Sequence, residues 1–220
     1  MVSRRRPAVN ARVFCGKTTV RPTRLTCALL TRGPVPRYNN IPGTQLEDDK
    51  HMNGTIVCKF GGSSLADASG FQKAKNILLA DEKRRFAVPS APGRRFDGDD
   101  KVTDLLYRCY QQVEKGEDCA ETFAKITGRY AGIARELGLT LDVMALLQDT
   151  RAAIERVRTP DFAASRGEYL NGVLLANYLG WDFIDAADVV RFDKQGVFAA
   201  EWTNRVLTEE LKKHERAVIP

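Results

Sequence analysis

The sequence predicts an α/β protein, a three-layer αβα sandwich around a mainly parallel sheet, with a helical insertion. Three observations carry that expectation. The β-branched run Thr55–Phe60 stops at Gly61-Gly62 and is followed by an amphipathic stretch. A second short strand, Phe86-Ala87-Val88, closes a βαβ unit, whose strands are normally parallel. Stretches of helical period then fill residues 102–179 before strand-like sequence resumes at Trp181.

With 220 residues, 43% apolar and 28% charged, the chain has the composition of a globular domain of ordinary size. No window reaches the run of about 18 apolar residues expected of a membrane span. The net charge of +6 is unevenly placed. Residues 1–50 hold ten Lys/Arg and three acids, a net of +7, so the remaining residues carry a net of −1. A near-neutral body with scattered aromatics argues against a nucleic-acid-binding module. The five cysteines show neither a C-x-x-C motif nor metal-ligand spacing, which suggests reduced thiols, a cytosolic setting and no structural zinc.

Residues 1–53 are expected to be a basic, disordered N-terminal extension, with the folded body over 54–220. The first fifty residues contain five prolines and almost no acid before Glu47. They suit a transit peptide, which would place the protein in a plastid, a basic arm, or an upstream start with Met52 as the natural first residue.

The body opens with Thr55–Phe60, expected as a buried strand. A helix follows from Ala66 to about Leu79, with Phe71, Ala74, Ile77 and Leu78 on one face. After Phe86–Val88, Pro89-Ser90-Ala91-Pro92-Gly93 forces the chain into a charged, mobile loop reaching about Asp100. Helices are expected over Val102–Lys115, Cys119–Leu137 and Leu141–Val157. After Thr159-Pro160 comes another from about Ala164 to Leu179, capped by Gly180. Trp181–Asp185 reads as a strand, Val189–Phe192 as a possible fourth, and Trp202–Lys213 as a helix. Ala217-Val218-Ile219 reads as an inner strand just beginning, so the domain looks unfinished.

Three polar clusters fall at strand ends or helix starts, where open α/β sheets bind ligands. In Lys59-Phe60-Gly61-Gly62-Ser63-Ser64 a strand stops at a glycine pair beside a lysine. That is either a phosphate cradle built from backbone N–H groups and a cation, or an ordinary turn whose glycines supply unusual φ/ψ. Neither the Walker A nor the G-x-G-x-x-G spacing is present. Ser90-Ala91-Pro92-Gly93 with Thr103-Asp104-Leu105-Leu106 forms the second cluster, though Thr103 could simply start its helix. In the third, Ser165-Arg166-Gly167-Glu168, Ser165 could be an N-cap and Glu168 its capping-box partner.

Together the three clusters resemble the aspartate kinases of the amino-acid kinase superfamily. Val57-Cys58-Lys59-Phe60-Gly61-Gly62-Ser63-Ser64 is similar to their K-F-G-G-[ST]-S opening. Ser90-Ala91-Pro92-Gly93 with Val102-Thr103-Asp104-Leu105-Leu106 resembles their S-A…T-[ND]-L-L segment. Ser165-Arg166-Gly167-Glu168 resembles their S-x-G-E helix start, with Phe183-Ile184-Asp185-Ala186 fitting the next strand. The first motif is shared with glutamate 5-kinase and uridylate kinase, whereas S-x-G-E points to aspartate kinase. Pro89 departs from the small β-branched or aliphatic residue usual at its position.

The resemblance implies a truncated amino-acid kinase fold. It also implies transfer of the ATP γ-phosphoryl group to the β-carboxylate of L-aspartate, the first step toward lysine, threonine and methionine. Lys59 would be catalytic, neutralising the transferring phosphoryl, and Lys59, Phe60, Gly61, Gly62 and Ser63 would bind the ATP phosphates. Ser90, Thr103 and Glu168 would bind the amino acid, Glu168 taking its ammonium. ATP with Mg²⁺ is implied as co-substrate, with no protein metal ligand assigned. A homo-oligomer is implied for the full-length enzyme, without membrane or nucleic-acid partners. The nucleotide-binding segment and regulatory domains would lie beyond Pro220, so the chain alone is expected to be inactive. A non-catalytic regulatory or binding protein retaining the kinase N-lobe is the alternative.

Overall fold

The computed structural model describes residues 54–220. The expected extension over 1–53 lies outside them. A parallel sheet of four strands carries the fold: β1 (Ile56–Phe60), β2 (Arg84–Pro89), β3 (Asp182–Phe183) and β4 (Ala217–Val218), in the spatial order β1-β2-β4-β3. Among the described residues seven α-helices form: α1 (Ala68–Leu79), α2 (Val102–Glu114), α3 (Ala120–Glu136), α4 (Val143–Val157), α5 (Pro160–Leu179), α6 (Ala186–Val189) and α7 (Ala200–Leu211). No helix among the described residues is long and apolar enough to cross a membrane.

The period-2 alternation of the strands sends neighbouring residues into different cores. Ala87 and Val218 join the large core made by Phe71, Leu78, Leu106, Ile126, Leu170 and their neighbours. Phe86 and Ala217, one residue earlier on the same strands, face the opposite side and pack with Ile184, Val189 and the apolar stripe of α7. Both faces of the inner strands are therefore covered, which is the three-layer arrangement. β4 is inserted between β2 and β3, and its chain is held by Ile219 N–H donating to Ala87 O at 2.9 Å.

Several expectations need correction. β1 is not a buried strand: it lies at the sheet edge, and Val57, opposite Phe86, is 58% exposed because α7 does not cover that end. Ile77 points outward, and the buried face of α4 is Val143, Leu147, Thr150 and Ile154. Residues 189–192 do not form a strand. Val189 ends the short α6, and only an isolated antiparallel bridge joins Phe192 to Phe198. The fifth helix begins at Pro160 rather than near Ala164, because proline's fixed φ and missing N–H suit the first helical position. Gly180 does end it in the left-handed conformation, φ 71°. Pro89 leaves the strand undisturbed: it pairs with Phe60 as the last residue of β2, and Ser90 N–H donates to Phe60 O at 2.9 Å.

Candidate active site

All four strands point their carboxyl ends the same way, and the polar clusters gather at that edge. The chain leaves β1 at Lys59-Phe60, crosses Gly61, and makes a 3₁₀ turn over Gly62–Leu65. The α-helix does not start there. Its N-terminus comes later, capped by the Asp67 carboxylate, which accepts from Gly70 N–H at 2.9 Å. Those hydrogen bonds, led by the one from Gly70, hold the Asp67 carboxyl below its usual range. The phosphate-cradle reading thus loses the α1 dipole and rests on the 3₁₀ turn and Lys59.

The glycines of that turn are not there for unusual dihedrals, since neither Gly61 nor Gly62 has a positive φ. Gly62 is required by a close approach. A Cβ on it would lie 2.7 Å from Ala91 O, and one on Gly93 would lie 2.8 Å from Gly62 C. Gly93 N–H donates to Gly62 O at 2.8 Å across this contact, locking the β1 turn against the β2 loop. At Gly61 a Cβ would meet nothing within 4 Å.

The helix α5 approaches the same loop from the other side. Gly167 makes room for it, since a Cβ there would lie 2.7 Å from the Ala91 Cβ. Ser165 is in the second turn of α5 rather than an N-cap, its hydroxyl donating to Phe162 O at 2.8 Å, so the capping-box reading fails. Glu168, placed one residue beyond the close contact, accepts from Ala91 N–H at 3.4 Å. One turn on, the fully buried Asn171 donates through Nδ2 to Ser90 O at 2.7 Å. Tyr130, buried in α3, donates its hydroxyl to Gly167 O at 2.7 Å. Burial, reinforced by the Glu168 charge, raises its pKa well above the ordinary tyrosine value, so it stays a donor.

A cleft of about 460 Å³ opens at this junction. Gly62, Ser63, Ser90, Thr103 and Glu168, all expected site residues, line it. Lys59 stands beside it with Nζ donating to Ser90 Oγ at 3.2 Å. Phe60 belongs to the core instead, 8% exposed, with its carbonyl taken by Ser90 N–H.

The loop expected to be mobile is tied down. Arg129 of α3 is 7% exposed and donates to Gly93 O at 2.8 Å, Asp100 O at 3.2 Å and Ala66 O at 3.4 Å. It also pairs with Asp99 at 2.6 Å. Asp99 in turn accepts from Arg95 Nε and Nη2, both at 2.9 Å. Those bonds from Arg95 and the Arg129 charge outweigh burial and hold the Asp99 carboxyl far below the usual range. Sequence reasoning missed Arg129, though a signal existed: it interrupts the apolar stripe Ile126, Tyr130, Ile133 at a position with core spacing. It also missed Asn171, and Arg94 and Lys101, which line the cleft.

The fold and the cleft define a class: a parallel α/β domain covered on both faces, with a polar ligand cleft at the carboxyl edge of its sheet. The family is narrower. No family model matches the chain. Aspartokinase 3 of Bacillus subtilis is 35% identical over 138 residues, covering 59% of this chain and 30% of that protein. The crystal structure of Clostridium acetobutylicum aspartate kinase superposes with a TM-score of 0.74 at 45% identity, covering 76% of this chain and 38% of that one. Escherichia coli aspartokinase III, solved in complex with aspartate and ADP, gives a TM-score of 0.58 at 22% identity, covering 75% of this chain and 40% of that one, a likeness of fold. In sequence and in fold the chain matches part of an aspartokinase domain. It spans about a third of the length of the curated relatives it matches.

Proposed function

We propose that this chain carries the amino-acid side of an aspartate kinase site, which phosphorylates the β-carboxylate of L-aspartate from ATP to give 4-phospho-L-aspartate. One observation carries the reading: Ser90, Thr103 and Glu168, from separate stretches, line one cleft, with Lys59 bonded to Ser90 at its rim. Glu168 takes the substrate ammonium. Thr103 and Ser90 offer hydroxyls to its carboxylates. Lys59 neutralises charge on the transferring phosphoryl group, and Gly61, Gly62 and Ser63 bring backbone N–H groups to the phosphates. Positioning and electrostatics of this kind are most of what phosphoryl transfer requires. The open space at Gly61 is where a phosphate can approach the backbone. Among the described residues no three acidic, His or Cys side chains converge as metal ligands. Mg²⁺ would therefore be carried largely by the nucleotide's own phosphate oxygens.

The test is calorimetric titration of the 220-residue chain with L-aspartate and with Mg·ADP. Glu168→Gln is expected to weaken L-aspartate by roughly tenfold or more, the scale of a charged hydrogen bond, and to spare Mg·ADP. No L-aspartate binding by the parent chain would refute the assignment. Aspartyl phosphate trapped with hydroxylamine is expected to be absent, because no aromatic or bulky aliphatic residue lines the cleft to hold an adenine ring.

A further inference from the structure

We propose that Arg94 and Lys101 are the specificity-determining cations of this site, reading the two carboxylates of a dicarboxylic amino acid. This deepens the assignment above and rests on it. Both residues line the cleft with Ser90, Thr103 and Glu168, Arg94 from within the loop that joins β2 to α2 and Lys101 from its last position.

Two of the loop's acids are matched. Asp99 is held by Arg95 and Arg129, and Asp100 by Lys125 at 3.3 Å. Among the described residues the side chains of Arg94 and Lys101 have neither an ion pair nor a hydrogen bond. Two nearby acids, Asp97 and Asp104, do not line the cleft, so they do not neutralise it from within. The ionisable groups lining the cleft are therefore two cations and one carboxylate, Arg94, Lys101 and Glu168. L-Aspartate carries the inverse set, two carboxylates and one ammonium. Like charges facing one small cleft focus a positive potential into it and favour an anionic guest. Arg94 brings a planar fork suited to a carboxylate, and Lys101 a compact ammonium. Lys59 is set apart on the Ser90 hydroxyl, which leaves it for the phosphoryl group.

The experiment compares L-aspartate, L-asparagine and L-isoasparagine (the α-amide) by calorimetry on the full 220-residue chain, Arg94→Gln and Lys101→Gln. Each amide removes one carboxylate. The parent is expected to prefer L-aspartate over each amide by roughly tenfold, as for one charge-assisted hydrogen bond. Each variant should narrow to about twofold its preference over the amide that lacks the carboxylate it reads, leaving that amide and Mg·ADP unchanged. It should weaken the other amide about as much as it weakens L-aspartate. Both side chains are exposed, so melting temperatures should match the parent. Variants that keep the parent's preference while Glu168→Gln loses L-aspartate would overturn the assignment of Arg94 and Lys101 and leave the kinase-site reading standing. Variants that weaken Mg·ADP instead would overturn it by making these residues phosphate ligands. A parent that binds no L-aspartate would sink both.

Discussion

Replacing Arg129 with Met should be among the most damaging changes to this chain, although Arg129 lies in no recognisable motif. Its side chain and that of Asp99 are 6% and 7% exposed, with 2.6 Å between Nη2 and Oδ2. Removing one member of a buried pair costs about 3–5 kcal/mol, chiefly by leaving its partner desolvated and unmatched. Asp99 would keep the two bonds from Arg95, a half-exposed residue, which argues for the lower end. Against that, the carbonyls of Gly93, Asp100 and Ala66 would lose their donor together. About 3 kcal/mol is the expected loss, equivalent to roughly 6–12 °C in melting temperature for a domain of this size. Urea denaturation of the parent and Arg129→Met measures it, and amide hydrogen exchange should accelerate over residues 93–100. Asp99→Asn adds a pH signature. A carboxyl held below its unfolded pKa contributes stability that is present above about pH 3.9 and lost as pH falls toward the folded value. Asp99→Asn should flatten that acid-side decline. An Arg129→Met chain that unfolds within about 0.5 kcal/mol of the parent, the scatter of ordinary surface changes, would refute the anchoring role.

The two turn glycines should separate structure from ligand binding. Gly62→Ala puts a methyl 2.7 Å from the Ala91 carbonyl and should lower the melting temperature and open the cleft. Gly61→Ala meets nothing within 4 Å, so it should melt like the parent and yet weaken Mg·ADP in calorimetry. At the opposite edge, His214 bridges Asp182 at 2.8 Å and Glu210 at 3.2 Å, and these partners, Asp182 first, raise its pKa against the opposing effect of burial. That stabilisation is complete below the unfolded pKa of about 6.5 and is lost as pH rises through the higher folded value. Denaturation midpoints between pH 6 and 9 should therefore fall slightly in the parent, by under about 1 kcal/mol because its first partner, Asp182, is largely exposed, and stay level in His214→Gln.

The helical body was readable because its stripes obey the helical period: Leu105, Leu106, Cys109 and Val113 are buried as spaced, as are Phe123, Ile126, Tyr130 and Ile133. The strand ends were readable because the polar clusters sit where parallel strands stop. Three kinds of information were not local. Whether Val57 is covered depends on how far α7 reaches, which no property of residues 55–60 encodes. The start of α5 turned on Pro160, which reads as a breaker in sequence but serves as a first helical residue once the chain approaches from outside. The charged loop read as mobile because its six charged residues, Arg94 to Lys101, have no partners within reach of a sequence window. The decisive one, Arg129, comes from a helix thirty residues on.

The way the loop is held explains why its site residues meet. An irregular segment packed between two helices and a sheet has no ladder for its polar backbone, yet buried carbonyls and N–H groups are almost always paired. Here each pairing comes from a different element. Phe60 O receives Ser90 N–H, Ser90 O receives Asn171, Gly62 O receives Gly93 N–H, Pro92 O receives Val102 N–H, and Gly93 O receives Arg129. Those bonds fix the backbone on which Ser90 and Thr103 stand, and Glu168 is set against it by the Gly167 contact. The cleft side chains themselves take little part: Ser90 and Glu168 make single bonds, and Arg94 and Lys101 make none among the described residues. Supporting groups are thus saturated while the groups facing the cleft keep their bonding capacity, the division expected where a polar ligand completes the structure.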